Sequence, residues 1–212
     1  MKTVLIIGGN GSLGKQLIKD FSNNGFTCIS PSKLELNLTD RNTIENFCDK
    51  ITTIDGVICV AGKEPSMNLK ELSWEHLTDM IDIHYKGVLW CIKNLIDKIN
   101  KDGFIIFTSS VASFKGSYDP TYSSLKNAIN GLTKTLSIEL SPNIRVNSVA
   151  PSLITDTPVF NGMSDNFKQK HLLTTPLNRL VSIEEVSDVF IFLSKNNHIT
   201  GQIININGGQ YV

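Results

Sequence analysis

Along the chain, short uninterrupted apolar runs bounded by Gly, Pro, Asn or Ser alternate with longer segments in which apolar residues recur every three to four positions. Runs without in-and-out alternation suit strands buried on both faces, and the longer segments suit helices packed along one side. The pattern therefore predicts a parallel sheet covered by helices. Strands are expected at Thr3–Ile7, Phe26–Ser30, Asp55–Val60, Gly103–Ser109, Ile144–Val149 and Gln202–Ile206. Helices are expected at Ser12–Asn23, Arg41–Lys50, Ser73–Asn100, Thr121–Ser141 and Ser182–Lys195, with Ser73 and Ser182 each preceding an acidic first turn. The expected fold is α/β, a doubly wound parallel sheet of Rossmann type in a single domain over 1–212. One connection departs from that plan. Between Ser30 and Leu34 there is no room for a helix, yet a parallel strand at Leu34–Leu38 would need a crossover of about a dozen residues. The helix between the second and third strands is thus missing, and Leu34–Leu38 is either a rudimentary strand or a loop.

The 212 residues are 41% hydrophobic, enough for one substantial core. Twenty Lys+Arg against twenty Asp+Glu leave a formal charge of zero, which argues against a nucleic-acid partner. Cysteines at 28, 48, 59 and 91 follow neither a metal-ligand nor a disulfide spacing, so reduced thiols and no metal are expected. The apolar run Val4–Ile7 stops at Gly8, too short for a signal core or a membrane span. A cytoplasmic protein without a membrane partner is expected.

The first strand runs into Gly8-Gly9-Asn10-Gly11-Ser12-Leu13-Gly14 and then a helix. Glycines let backbone approach a pyrophosphate, and the helix N-terminus offers free N–H groups, so the turn is a candidate dinucleotide site. The second strand ends without the carboxylate that usually reads the ribose of NAD. Ser30, Ser32 and Lys33 stand there instead and suit a 2′-phosphate, favouring NADP over NAD; Glu35 is the alternative ribose reader. Tyr122 and Lys126, four apart, share one helix face, where an ammonium favours the phenolate and lowers the phenol pKa towards the working range of a general acid/base. Ser109-Ser110 closes a strand twelve residues before Tyr122, at the sheet end where ligands bind.

With these motifs in this order, nearly the whole chain resembles the short-chain dehydrogenase/reductase family. Further matches are Val60-Ala61-Gly62, Asp82-Ile83-His84-Tyr85-Lys86-Gly87-Val88, Arg145-Val146-Asn147-Ser148-Val149-Ala150-Pro151, Pro176-Leu177-Asn178-Arg179-Leu180 and the ending Asn207-Gly208-Gly209. The resemblance implies hydride transfer between NAD(P)(H) and a small carbonyl or alcohol. Tyr122 would exchange the proton, Lys126 would lower its pKa and hold the nicotinamide ribose, and Ser110 would bond the substrate oxygen. It also implies cofactor contacts from Asn37, Ala61, Gly62 and Pro151, and from Thr157 or Thr155. His84 stands where the family has an active-site Asn that holds a relay water. It is either a replacement proton relay, titrating near the usual imidazole pKa, or a packed helix residue. That departure leaves a non-catalytic NAD(P)-binding or sensor module as the alternative function.

Substrate would be read after Ser110 and after Pro151, where Phe114, Tyr118, Phe160 and Met163 are candidates, with Phe167 and His171 nearby. No arginine cluster announces a carboxylate or phosphate substrate. Ile81, Leu89, Ile92, Leu95, Leu125, Ile129, Leu132 and Leu136 exceed what one sheet face needs. Family members pair through the corresponding helices, so a homodimer or homotetramer is expected.

Overall fold

The computed structural model describes residues 2–211. In chain order the elements are β1 (Lys2–Ile7), α1 (Ser12–Asn23), β2 (Phe26–Ile29), α2 (Arg41–Lys50), β3 (Ile54–Cys59), α3 (Trp74–Ile81), α4 (Gly87–Leu95), β4 (Ile99–Thr108) and α5 (Ala112–Lys115). They continue with α6 (Pro120–Glu139), β5 (Ile144–Pro151), α7 (Pro158–Gly162), α8 (Asp165–Leu173), α9 (Ile183–Lys195) and β6 (Ile203–Ile206). The strands form one sheet in the order β2-β1-β3-β4-β5-β6, and every pairing is parallel.

Alternate residues of the strands feed two cores, which is why the apolar runs show no in-and-out alternation. Leu5, Val57, Ile105 and Phe107 face Ile44, Val88, Leu95 and Leu132 of α2, α4 and α6. Ile6, Ile58, Phe104 and Ile106 face Leu17, Phe21, Val186 and Phe190 of α1 and α9. Helix starts follow the expected caps: Ser73 accepts from His76 N, and Ser182 forms a reciprocal capping box with Glu185. No helix among the described residues is long and apolar enough to cross a membrane.

Leu34–Leu38 takes the loop alternative. Leu36 and Leu38 are buried against the first core while Leu34 is 93% exposed. The segment packs on a helix instead of extending the sheet: a Cβ on Gly87 would lie 2.1 Å from the Leu38 carbonyl oxygen. With that segment a loop, the third strand is β3, and the helix expected to be missing between the second and third strands is present as α2.

The long helix expected over Ser73–Asn100 is interrupted. Asp82–Lys86 forms a π-helical turn between α3 and α4, and β4 already begins at Ile99. The positions expected to hold an oligomer together are mostly internal. Ile92, Leu95, Leu125, Ile129, Leu132 and Leu136 are all buried within this chain, while Ile81 is 37% exposed.

Candidate active site

The glycine turn is closed by backbone contacts. Gly8 has φ +98°, and a Cβ there would sit 2.4 Å from Ala61 N; a Cβ on Gly14 would sit 2.3 Å from the Gly8 oxygen. No side chain caps α1, so its first-turn N–H groups are left for a ligand. Two clefts meet at this turn. The larger, about 570 Å³, is lined by Ser12, Leu13 and Gly14 and extends to Ser110, Tyr122 and Lys126. The smaller, about 310 Å³, is lined by Asn10, Lys33, Asn37 and Ala61. Gly8, Gly11, Val60, Gly62 and Lys63 line both. Two compartments joined at an N–H-rich turn fit the two halves of a dinucleotide about its pyrophosphate. Thr108 Oγ1, buried without a partner in the larger cleft, adds a polar group free to receive it.

At the end of β2 only part of the expected set faces that space. Lys33 lines the smaller cleft. Ser30 instead packs beneath the turn, where a Cβ on Gly9 would overlap its hydroxyl at 1.8 Å. The Ser32 hydroxyl donates to Glu35 Oε2 at 2.8 Å, and the Ser32 N–H donates to the same oxygen. This local turn occupies Glu35, which lines neither cleft. Asn37 does line it, although its amide oxygen accepts from Thr39 N and Oγ1. Of the two threonines, Thr157 lines the larger cleft and caps α7, while Thr155 bonds Val181. Pro151 lines the same cleft.

β4 and α6 assemble the reacting groups. The two serines after β4 divide: Ser109 donates inward to Asn130 Oδ1 at 2.6 Å, and Ser110 faces the cleft. Ser110 Oγ accepts from Ala112 N at 3.1 Å, which leaves its O–H to bond the Tyr122 phenol. Lys126 Nζ donates to the Thr108 carbonyl at 2.9 Å and lies 5.6 Å from the Tyr122 ring centre. Burial pushes the Lys126 pKa down to about 8. The Tyr122 pKa moves opposite to expectation. Burial raises it above the ordinary phenol value, outweighing the Ser110 bond, and the carboxylates of Glu64 and Asp119 push it the same way.

His84 sits on the π turn, 2% exposed, edge-on to Tyr122 with centroids 5.7 Å apart. Its Nε2 lies 3.0 Å from both the N–H and the carbonyl of Lys63. Gly62 makes room for it, since a Cβ there would reach His84 Cε1 at 2.8 Å. Burial, reinforced by the Lys126 ammonium, pushes its pKa down to about 3. The imidazole is therefore neutral at neutral pH, the form a proton relay through this ring would need, with its titration well below the ordinary 6.5. The ring braces the loop after β3 against Tyr122.

Of the substrate candidates, Tyr118 and Met163 line the larger cleft, as do Phe167 and His171. Phe114 instead stacks on Tyr211, and Phe160 lies under Lys168. Sequence reasoning missed Lys115 and Lys170, which the fold brings to this cleft from distant segments. It also missed Asp119. That carboxylate is fully buried and accepts from Tyr122 N, Ser66 N, Met67 N and His76 Nε2 at 3.0–3.3 Å, tying the loop after β3 to the start of α6. Its Asp-Pro position immediately before the Tyr122 helix was a legible capping signal.

A family model described as enoyl-(acyl carrier protein) reductase matches residues 7–210. The chain is 33% identical to the 3-oxoacyl-[acyl-carrier-protein] reductase FabG of Chlamydia muridarum over 97% of this chain and 86% of that protein. It is 31% identical to the FabG of Buchnera aphidicola over 100% and 98%. Among solved structures, a 3-oxoacyl-[acyl-carrier protein] reductase from Brucella melitensis superimposes with a TM-score of 0.88 at 25% identity, covering 100% of this chain and 91% of that one. A small-chain dehydrogenase in complex with NADPH shares the fold, with a TM-score of 0.89 at 23% identity over 99% and 98%.

Proposed function

The chain belongs to the short-chain dehydrogenase/reductase family of NAD(P)-dependent oxidoreductases, and from that premise we propose that it reduces a small ketone with Tyr122 as the proton donor. The observation that carries this reading is the meeting of Ser110, Tyr122 and Lys126 in the cleft that begins at the glycine turn. When bound, the nicotinamide supplies the hydride, and the remaining work is positional and electrostatic. The glycine turn and α1 receive the pyrophosphate. Ser110 and Tyr122 line the same cleft, and an entering carbonyl oxygen would take the Ser110 O–H from the phenol and accept from both. Burial keeps Tyr122 neutral, hence able to donate, while Lys126 with a pKa of about 8 is still mostly charged at neutral pH and stabilises the phenolate left behind. His84 and Asp119 hold the loop and the helix end that keep the phenol in place. Relatives named 3-oxoacyl-[acyl-carrier-protein] reductase make a 3-oxoacyl compound the first substrate class to try. NADP(H) is the favoured nucleotide, with Lys33 as the group that meets its 2′-phosphate.

The test is NADPH oxidation with a panel of small ketones by the parent and by Tyr122→Phe. Turnover should fall by roughly 10²–10⁴-fold while NADPH affinity, followed by fluorescence, stays nearly constant. Turnover within a few-fold of the parent would exclude Tyr122 as the acid.

A further inference from the structure

Beyond Tyr122 the larger cleft carries a cationic rim that neither proton transfer nor the dinucleotide requires. Lys115 closes α5, and Lys170 and His171 lie in the last turn of α8; all three line the cleft that holds Ser110 and Tyr122. Other lysines around the site have partners: Lys63 pairs with Asp79 at 2.6 Å, and Lys126 bonds the Thr108 carbonyl. Among the described residues the Lys115 and Lys170 ammoniums have no hydrogen bond or ion pair. His171 Nδ1 is buried without a partner, with its ring 4.7 Å from that of Phe167. The three groups also sense one another. Burial and then Lys170 hold the Lys115 pKa below its ordinary value, and burial followed by Lys115 and Lys170 does the same to His171. Glu64, the one acidic side chain among the described residues lining the cleft, acts on Tyr122, whose pKa it raises, and forms no ion pair with either lysine.

Cations gathered without a counter-charge are unfavourable until an anion enters. Resting on the carbonyl-reducing reading above, we propose that the substrate bears an oxyanion, a carboxylate or a phosphate, apart from its reacting carbonyl. Lys115, Lys170 and His171 Nδ1 receive that group. Lys115 lies five residues beyond Ser110, on a short helix anchored by the bond from Ala112 N to Ser110 Oγ. Holding the anion there therefore fixes the carbonyl relative to Ser110 and Tyr122.

Two matched pairs of ketones test this and separate the two sources of charge: acetoacetate against methyl acetoacetate, and dihydroxyacetone phosphate against dihydroxyacetone. With NADPH, the charged member of one pair should show kcat/KM at least about tenfold higher, the effect of a charge-assisted contact. In Lys115→Gln/Lys170→Gln the ratio should fall to within about threefold. Ratios within that margin for both pairs in the parent, or an advantage that persists in the double variant, would overturn the proposal. Calorimetric titration of the same four compounds into NADP⁺-saturated protein reads the site without turnover. If no ketone is reduced, the oxidoreductase reading fails, yet tighter binding of a charged member that disappears in the double variant still upholds the anion site; equal binding overturns it. Circular dichroism checks the fold, and Lys170→Gln alone, on an exposed position of α8, replaces the double variant if that does not fold.

Discussion

At His84 the cost of burying an imidazole becomes visible as a dependence of stability on pH. Folded, the ring has a pKa of about 3 against the ordinary 6.5, because burial and the Lys126 ammonium both oppose its charge. Between those values the unfolded chain binds a proton that the folded chain does not, so stability falls as pH is lowered through that window. This group contributes a slope of up to about 1.4 kcal/mol per pH unit. Urea denaturation at pH 7, 6, 5 and 4 should show a steeper loss in the parent than in His84→Asn, which cannot titrate. Parallel curves would mean that the ring is not held neutral. The same burial acts with opposite sign on acids, which is why Tyr122 moves up while Lys126 and His84 move down.

Among the elements, the start of α6 and the loop after β3 depend on one carboxylate. Asp119 caps the helix through Tyr122 N and receives two loop amides, Ser66 N and Met67 N, plus His76 Nε2. Although burial opposes it, those N–H bonds hold its pKa below the usual carboxylate range. Asp119→Ala should destabilise the protein by roughly 1–3 kcal/mol through the lost cap and the orphaned donors. Hydrogen exchange should accelerate at Ser66, Met67 and Tyr122 and leave β1 amides unchanged; unchanged loop amides would refute the clamp. The π turn at Asp82–Lys86 serves the same loop from the other side, since it is the element that carries His84 to Lys63. An extra residue in a helical turn re-aims side chains, and such turns recur at functional sites.

Over the whole molecule, two clefts joined at the glycine turn place Lys33 at one end and Tyr122 at the other. If Lys33 meets a 2′-phosphate, the parent should bind NADPH more tightly than NADH. Lys33→Ala should then narrow the gap by about 1.5–3 kcal/mol, measured by fluorescence titration. Equal affinities in the parent would remove the basis for that contact. The helices on one face bury their apolar residues against the sheet, so Leu132→Ala should behave as a core truncation. It should lower stability by about 2–5 kcal/mol and leave the mass in light scattering as in the parent. A changed mass would place Leu132 between subunits.

Six strands and four of the five long helices were legible because period and run length are local properties, and so was the glycine turn, whose chemistry is contained in seven consecutive residues; the fifth helix, over Ser73–Asn100, is broken by the π turn and ends before β4. The pairing of Tyr122 with Lys126 followed from helical spacing alone. Tertiary structure decided what depends on distant neighbours. Leu34–Leu38 became a loop because a helix backbone at Gly87, not a strand, lies against it. Ser32 turned to Glu35, burial raised the Tyr122 pKa, and burial lowered that of His84. The cationic rim joins residues 115 and 170, which no local pattern connects. Propensity and spacing act over a few residues of chain, whereas desolvation and Coulomb interactions depend on distance in space, which only the packed chain defines.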